Sequence, residues 1–107
     1  MFGNMGDMFG KVNEMRRMMA ETKERLDETP VYVETGGGMV KVHAVASKRI
    51  VKIQINPELF SDPEMVEDLL TSAINKVIEE ADEVSQRELS KVSGQLLPGF
   101  DPSQLGF

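Results

Sequence analysis

Met5, Met8, Val12, Met15, Met19 and Leu26, with Thr22 among them, recur at alternating spacings of three and four along the first part of the chain. That rhythm places them on one face of a helix, the a and d seam of a heptad, and predicts a helix from about Asp7 to Glu28. Asn4 or Asp7 is its candidate N-cap. Thr29-Pro30 is its stop, because a proline drives the residue before it out of helical geometry. The period then changes to two. Val40, Val42, Ala44 and Ala46 alternate with Lys41, His43 and Val45, and Val51, Ile53 and Ile55 alternate with Ile50, Lys52 and Gln54. With the run at 31–34, these patterns predict three strands, 31–34, 39–46 and 50–55, in an antiparallel meander.

Asn56-Pro57 closes the sheet. Asp62 is the predicted cap of a second helix, with Pro63 at its first position and Glu64 in its first turn. That helix runs to about Ser93, a rod of roughly 48 Å at 1.5 Å per residue. Its first half is apolar from Met65 to Ala81, and its second half keeps only Val84, Leu89 and Val92 among polar neighbours. The first half therefore packs on the sheet, and the second must project or find a partner. Residues 94–107, GQLLPGFDPSQLGF, are rich in Pro and Gly and predict a mobile tail after a single α+β domain at 1–93.

Within this frame the run Thr35-Gly36-Gly37-Gly38-Met39 reads as a hairpin turn. A phosphate-binding glycine loop must open into a helix, whose N-terminus meets the phosphate. Here a strand precedes and a strand follows, so the glycines supply the positive φ angles of a tight reversal.

Composition narrows the chemistry. At 107 residues there is room for one modest core. The chain has no cysteine, hence no disulfide, thiolate nucleophile or cysteine-bearing metal site, and it has a single histidine. His43 alternates onto the face opposite Val42 and Ala44 with no acid or hydroxyl beside it, and reads as a partly exposed strand residue. The acidic run Glu79-Glu80-Asp82-Glu83 lacks the glycine turn and spaced ligands of a calcium loop and reads as a solvated helix face. No enzyme, metal, cofactor or small-molecule substrate is expected. The longest apolar run is too short to span a membrane, and MFGNMGDMFGK lacks a basic region and cleavage site, so a cytoplasmic protein is expected.

The net charge is −6, unevenly shared. Residues 1–56 carry nine Lys/Arg against seven Asp/Glu, or +2, and residues 57–107 carry three against eleven, or −8. On the first helix, Lys11 and Arg25 fall at g, Arg16 and Lys23 at e, and Arg17 at f, so positive charge flanks the apolar seam. Asp7, Glu14, Glu21 and Glu28 form an acidic stripe at c, behind the seam. Two copies of this helix would oppose like charges, so the preferred partner is acidic, and the second helix offers Glu67, Asp68, Glu79, Glu80 and Glu83. Cations left unpaired would suit phosphates. Arg17, Lys48, Arg49 and Lys52 lack an evident helical acidic mate, and Arg87 and Lys91 are the cations of the distal second helix. Six of the eight methionines lie within residues 1–19, suited to core or dimer packing or to an adaptable peptide groove.

Five stretches in order carry a resemblance: the N-terminal MFG with its methionine-rich helix, GGGMVKV, INPELF, EDLLTSAINKV and SGQLLPGF. Together they resemble the YbaB/EbfC family of bacterial nucleoid-associated proteins over nearly the whole chain. The resemblance implies a homodimer of α+β protomers with projecting helical arms, and nucleoid-associated binding of double-stranded DNA with low or modest sequence preference and no enzymatic activity. From charge placement, the candidate DNA-binding residues are Lys11, Arg16, Arg17, Lys23 and Arg25 on the first helix, Lys48, Arg49 and Lys52 on the sheet, and Arg87 and Lys91 on the second. The alternative is a small acidic dimeric chaperone or adaptor that holds protein partners on its methionine seam and tail.

Overall fold

A computed structural model describes residues 2–96, with residues 2–5, 93, 95 and 96 described in their backbone only. The order is α1 (Phe2–Asp27), β1 (Pro30–Thr35), β2 (Val40–Val45), β3 (Arg49–Ile55), a short 3-10 turn (Pro57–Ser61) and α2 (Pro63–Leu96). The strands form an antiparallel sheet in the order β1-β2-β3. The architecture is α+β, a sheet with the first half of α2 on one face.

Helix α1 begins at Phe2, so Asn4 and Asp7 are both interior positions and neither is its cap. Gly6 and Gly10 lower helix propensity by about 1 kcal/mol each without stopping the helix. At the other end the helix stops before Pro30, as proline chemistry requires. Thr29 Oγ1 donates to the Arg25 carbonyl at 2.7 Å, and Glu28 N–H bonds the same carbonyl at 3.0 Å. Helix α2 starts where its cap places it: Met65 N–H donates to Asp62 Oδ1 at 3.2 Å and Pro63 leads the first turn. It is helical through Leu96, past the expected end near Ser93. Residues 97–107, most of the expected tail, lie outside the described residues. The 3-10 turn at 57–61 was not foreseen, although its signal is present: Pro57 fixes φ, and Asn56 Oδ1 accepts from Glu58 N–H at 3.0 Å.

Val31, Val33, Val40, Val42 and Ala44 point from the sheet into the core and meet Ala73, Val77 and Ala81 of α2. The four-residue spacing of those three keeps them on one helical stripe, and two alanines let the helix lie close to the sheet. Thr35 Oγ1 donates to the Leu69 carbonyl at 2.9 Å and pins the end of β1 to the helix. The same stripe continues into Leu89 and Val92, both buried. There the sheet has ended and α1 takes its place. Leu26 and Lys23 flank one groove with Ser85 and Leu89, and Thr22 and Met18 flank another with Glu88, Lys91 and Val92, so the helices run antiparallel.

Helix α1 thus packs on the distal half of α2, not against its acidic positions 67–83 as charge matching predicted. Apolar burial at Leu26 and Leu89 decides the contact, because exposed ion pairs contribute only about 0–1 kcal/mol. Only the C-terminal part of the heptad seam is used. Thr22 and Leu26 are buried, Met15 and Met19 half-buried, and Met8 and Val12 exposed. The Met5 side chain lies outside the described residues.

Candidate nucleic-acid interface

The three glycines have φ angles of 62°, 65° and 91°, which confirms that Gly36–Gly38 form the β1–β2 reversal. A Cβ on Gly36 would come within 2.6 Å of a Leu69 methyl, so that position also permits a close approach to α2. The second turn achieves its reversal without glycine: Lys48 itself takes φ 69° and donates its N–H to the Val45 carbonyl at 2.9 Å. Left-handed backbone costs an L-residue about 1–2 kcal/mol. From this position the Lys48 ammonium reaches Asp82 Oδ1 on α2 at 2.9 Å.

A bulge shapes the third strand. His43 pairs with Lys52 but Ala44 pairs with Ile50, which leaves Val51 as the extra residue. Simple alternation predicted Val51 beside Ile53 and Ile55 on the inner face. Instead Ile50 faces inward and Val51 stands 59% exposed. With Ile50 and Ile53 also near 40% exposed, β3 is an apolar outer strand of the sheet.

The other sheet face is mostly polar and open, with Val45 buried at one end of it. Register places Val45 with Arg49, then Tyr32, His43 and Lys52 in one row, then Glu34, Lys41 and Gln54 in the next. The Tyr32 and His43 rings lie 4.8 Å apart at a tilt of 45°. His43 Nε2 is 3.0 Å from Gln54 Oε1, and the Tyr32 hydroxyl donates to the Glu34 carboxylate. That hydrogen bond, then desolvation, then the Glu34 charge push the Tyr32 phenol up to about 12. Among the described residues, Lys41, Arg49 and Lys52 form no ion pair.

The helical cations divide differently. Lys11 and Arg16 are exposed on the part of α1 that precedes its contact with α2, with no ion pair among the described residues. Arg17 is held by Glu21 at 3.1 Å, Arg25 donates to Thr22 Oγ1 at 3.1 Å, and Lys91 meets Glu88 at 3.0 Å. Lys23 lines the groove between α1, the second turn and α2 with Asp27 and Lys48. Arg87 is exposed on α2. Arg17 and Lys48, expected to lack a helical acidic mate, therefore both have one. Glu21 is four residues from Arg17 on the same helix, and Asp82 reaches Lys48 only because α2 crosses behind the turn.

A family model described as the YbaB/EbfC DNA-binding family matches residues 1–96. The chain belongs to this family. Among its relatives is a nucleoid-associated protein of Chlorobium phaeovibrioides, 38% identical over 98 residues, covering 92% of this chain and 90% of that one. Another, from Ruminiclostridium cellulolyticum, is 36% identical over 102 residues, covering 92% and 89%. Among solved structures, an uncharacterized protein of Helicobacter pylori superposes with a TM-score of 0.72 at 26% identity, covering 75% of this chain and 86% of the other.

In this YbaB/EbfC member the candidate DNA-binding residues fall on two surfaces. Lys11, Arg16, Arg17, Lys23, Arg25, Arg87 and Lys91 belong to the two-helix arm, and Arg49 and Lys52 belong to the open sheet face. Lys48 sits between them, beside α2. Lys41 was not among the candidates, yet it shares the sheet face with Lys52. The alternation Val40-Lys41-Val42 already carried that signal. Among the described residues no group of three or more His, Asp or Glu side chains could hold a metal ion, and no helix is long and apolar enough to cross a membrane.

Proposed function

We propose that this protein is a cytoplasmic, nucleoid-associated homodimer that binds duplex DNA through its backbone phosphates, with little sequence preference. The observation that carries the reading is a set of exposed cations that form no ion pair among the described residues, in a chain of net charge −6: Lys11 and Arg16 on the arm, Arg49 and Lys52 on the sheet. Net negative charge sets the far field, but phosphate contact depends on charges within about 8–10 Å at ordinary salt. The pairs at Arg17 and Lys91 are exposed, so phosphate can compete for those side chains at small cost. Contacts of this kind position a duplex without reading its bases. The apolar outer strand β3 is the surface proposed to join two protomers.

Gel shifts with a random-sequence duplex across a salt series test this reading. If about four phosphates are neutralised, log K falls with a slope near −3.6 against log salt. Affinity that ignores salt would refute phosphate-led binding. The double reversal Arg16→Glu/Arg17→Glu weakens duplex binding and leaves the dimer intact. Unchanged binding would remove α1 from the contact surface.

One observation favours the adaptor reading as a second. Met8 and Phe9 are 67% and 65% exposed, adjoining Val12 at 44%, an apolar patch of the kind that holds protein partners. Nuclease treatment of a lysate before affinity capture separates the two, because protein partners survive it and DNA-bridged ones do not.

A further inference from the structure

The open sheet face carries a group that phosphate binding does not use. Tyr32 is the only tyrosine of the chain, there is no tryptophan, and its side chain is 43% exposed at the middle of that face. Both aromatic rings there are held in place. The Tyr32 hydroxyl is fixed by Glu34 on the same strand, and the His43 imidazole by Gln54 on β3. Their 4.8 Å, tilted contact orders the pair across two strands. Like any phenol at physiological pH the ring is neutral and bears no charge to repel a nucleic acid.

Charge surrounds the rings on the side a strand of phosphates requires. Lys52 lies directly across from His43, Arg49 one row away on the same strand, and Lys41 one row away on β2. The sole acid projecting from the strands onto this face is Glu34, and the Tyr32 hydroxyl engages it. A duplex keeps its base faces inside the stack, so it can use these cations but not the ring. A single strand can use both, since every base has a face that stacks on an aromatic side chain while its phosphates follow the cations. We propose that this face binds single-stranded DNA, with one base stacked on Tyr32 beside His43 and the flanking phosphates on Lys52, Arg49 and Lys41. The strand is taken as DNA because the chain belongs to a DNA-binding family. The site goes beyond the proposed duplex contact, which needs no aromatic group.

The experiment uses Tyr32 as its own reporter. The full chain is titrated with an unlabelled oligo-dT of about a dozen nucleotides, within the usual reach of such sites, while tyrosine emission is followed. Stacking quenches the emission, and a duplex of equal length at equal salt leaves it largely unchanged. Tyr32→Leu keeps an apolar strand residue and removes the ring. It weakens oligo-dT binding about tenfold and leaves duplex affinity within about twofold, with a thermal melt verifying that the variant is folded. Emission unaltered at saturating oligo-dT would overturn the proposal on the native protein, whatever the variant does. So would a Tyr32→Leu protein that binds oligo-dT normally, or one that loses duplex and single-strand binding equally. An oligo-U bound about tenfold more tightly than oligo-dT would overturn the choice of DNA.

Discussion

Tyr32 and Glu34 show how two residues of one strand change each other's chemistry. They are two positions apart, so the pleat puts both on the same face, where the hydroxyl donates to the carboxylate. The bond exists only while the phenol keeps its proton, which moves its titration from 10 to about 12. The sign follows: an acid whose folded-state value is raised adds stability at pH below 10 and loses it as pH climbs towards 12. Titrating phenolate absorbance, which reports this single tyrosine, gives a midpoint near 12 in the native protein and one displaced back towards 10 in Glu34→Ala. An unchanged midpoint in the variant would assign the shift to another source. The spacing of Tyr32 and Glu34 was visible in the sequence. The neighbour across the sheet, His43, was not, because its partner depends on strand register.

At the scale of elements, α2 does two jobs with one stripe. Ala73, Val77 and Ala81 cover the sheet, and Leu89 and Val92 receive α1. Leu89 is 1% exposed at that junction, so Leu89→Ala removes buried methyl groups from the contact joining the arm. A loss of about 2–5 kcal/mol is expected in urea unfolding, the usual range for a buried leucine. A loss under about 1 kcal/mol would mean that α1 is only lightly attached. The helices, the meander and the Asp62 cap were legible because proline stops, cap residues and apolar periods act within a few residues. The bulge at Val51 was not legible. Val, Ile and Lys suit either face of a strand, and only pairing with β2 reveals which residue is extra.

The whole molecule is long and thin, 72 × 21 × 16 Å, with much apolar surface left outside its core. Some of it lies along β3, where Ile50, Val51 and Ile53 stand beside an outer-strand backbone able to pair with another chain. Val51→Glu places a charge at the most exposed of the three. If β3 joins the protomers, sedimentation at micromolar concentration changes from dimer to monomer while the circular dichroism spectrum stays native. A variant that still sediments as a dimer would move the interface elsewhere, with the exposed part of α1 the next surface to test.

Local chemistry settled what the sequence could settle alone: the proline stop of α1, the Asp62 cap of α2, the turn made by three glycines, and which positions of β2 face a core. Such signals involve neighbours a few positions apart, and their physics is the same in any surrounding. Tertiary structure decided which cations remain available and what shares a surface with them. Lys48 met Asp82, α1 settled on Leu89 and away from the acidic turns, and Tyr32, His43 and Lys52 came into one row. These outcomes depend on register and on burial far along the chain, and a charge pattern read in one dimension does not contain them.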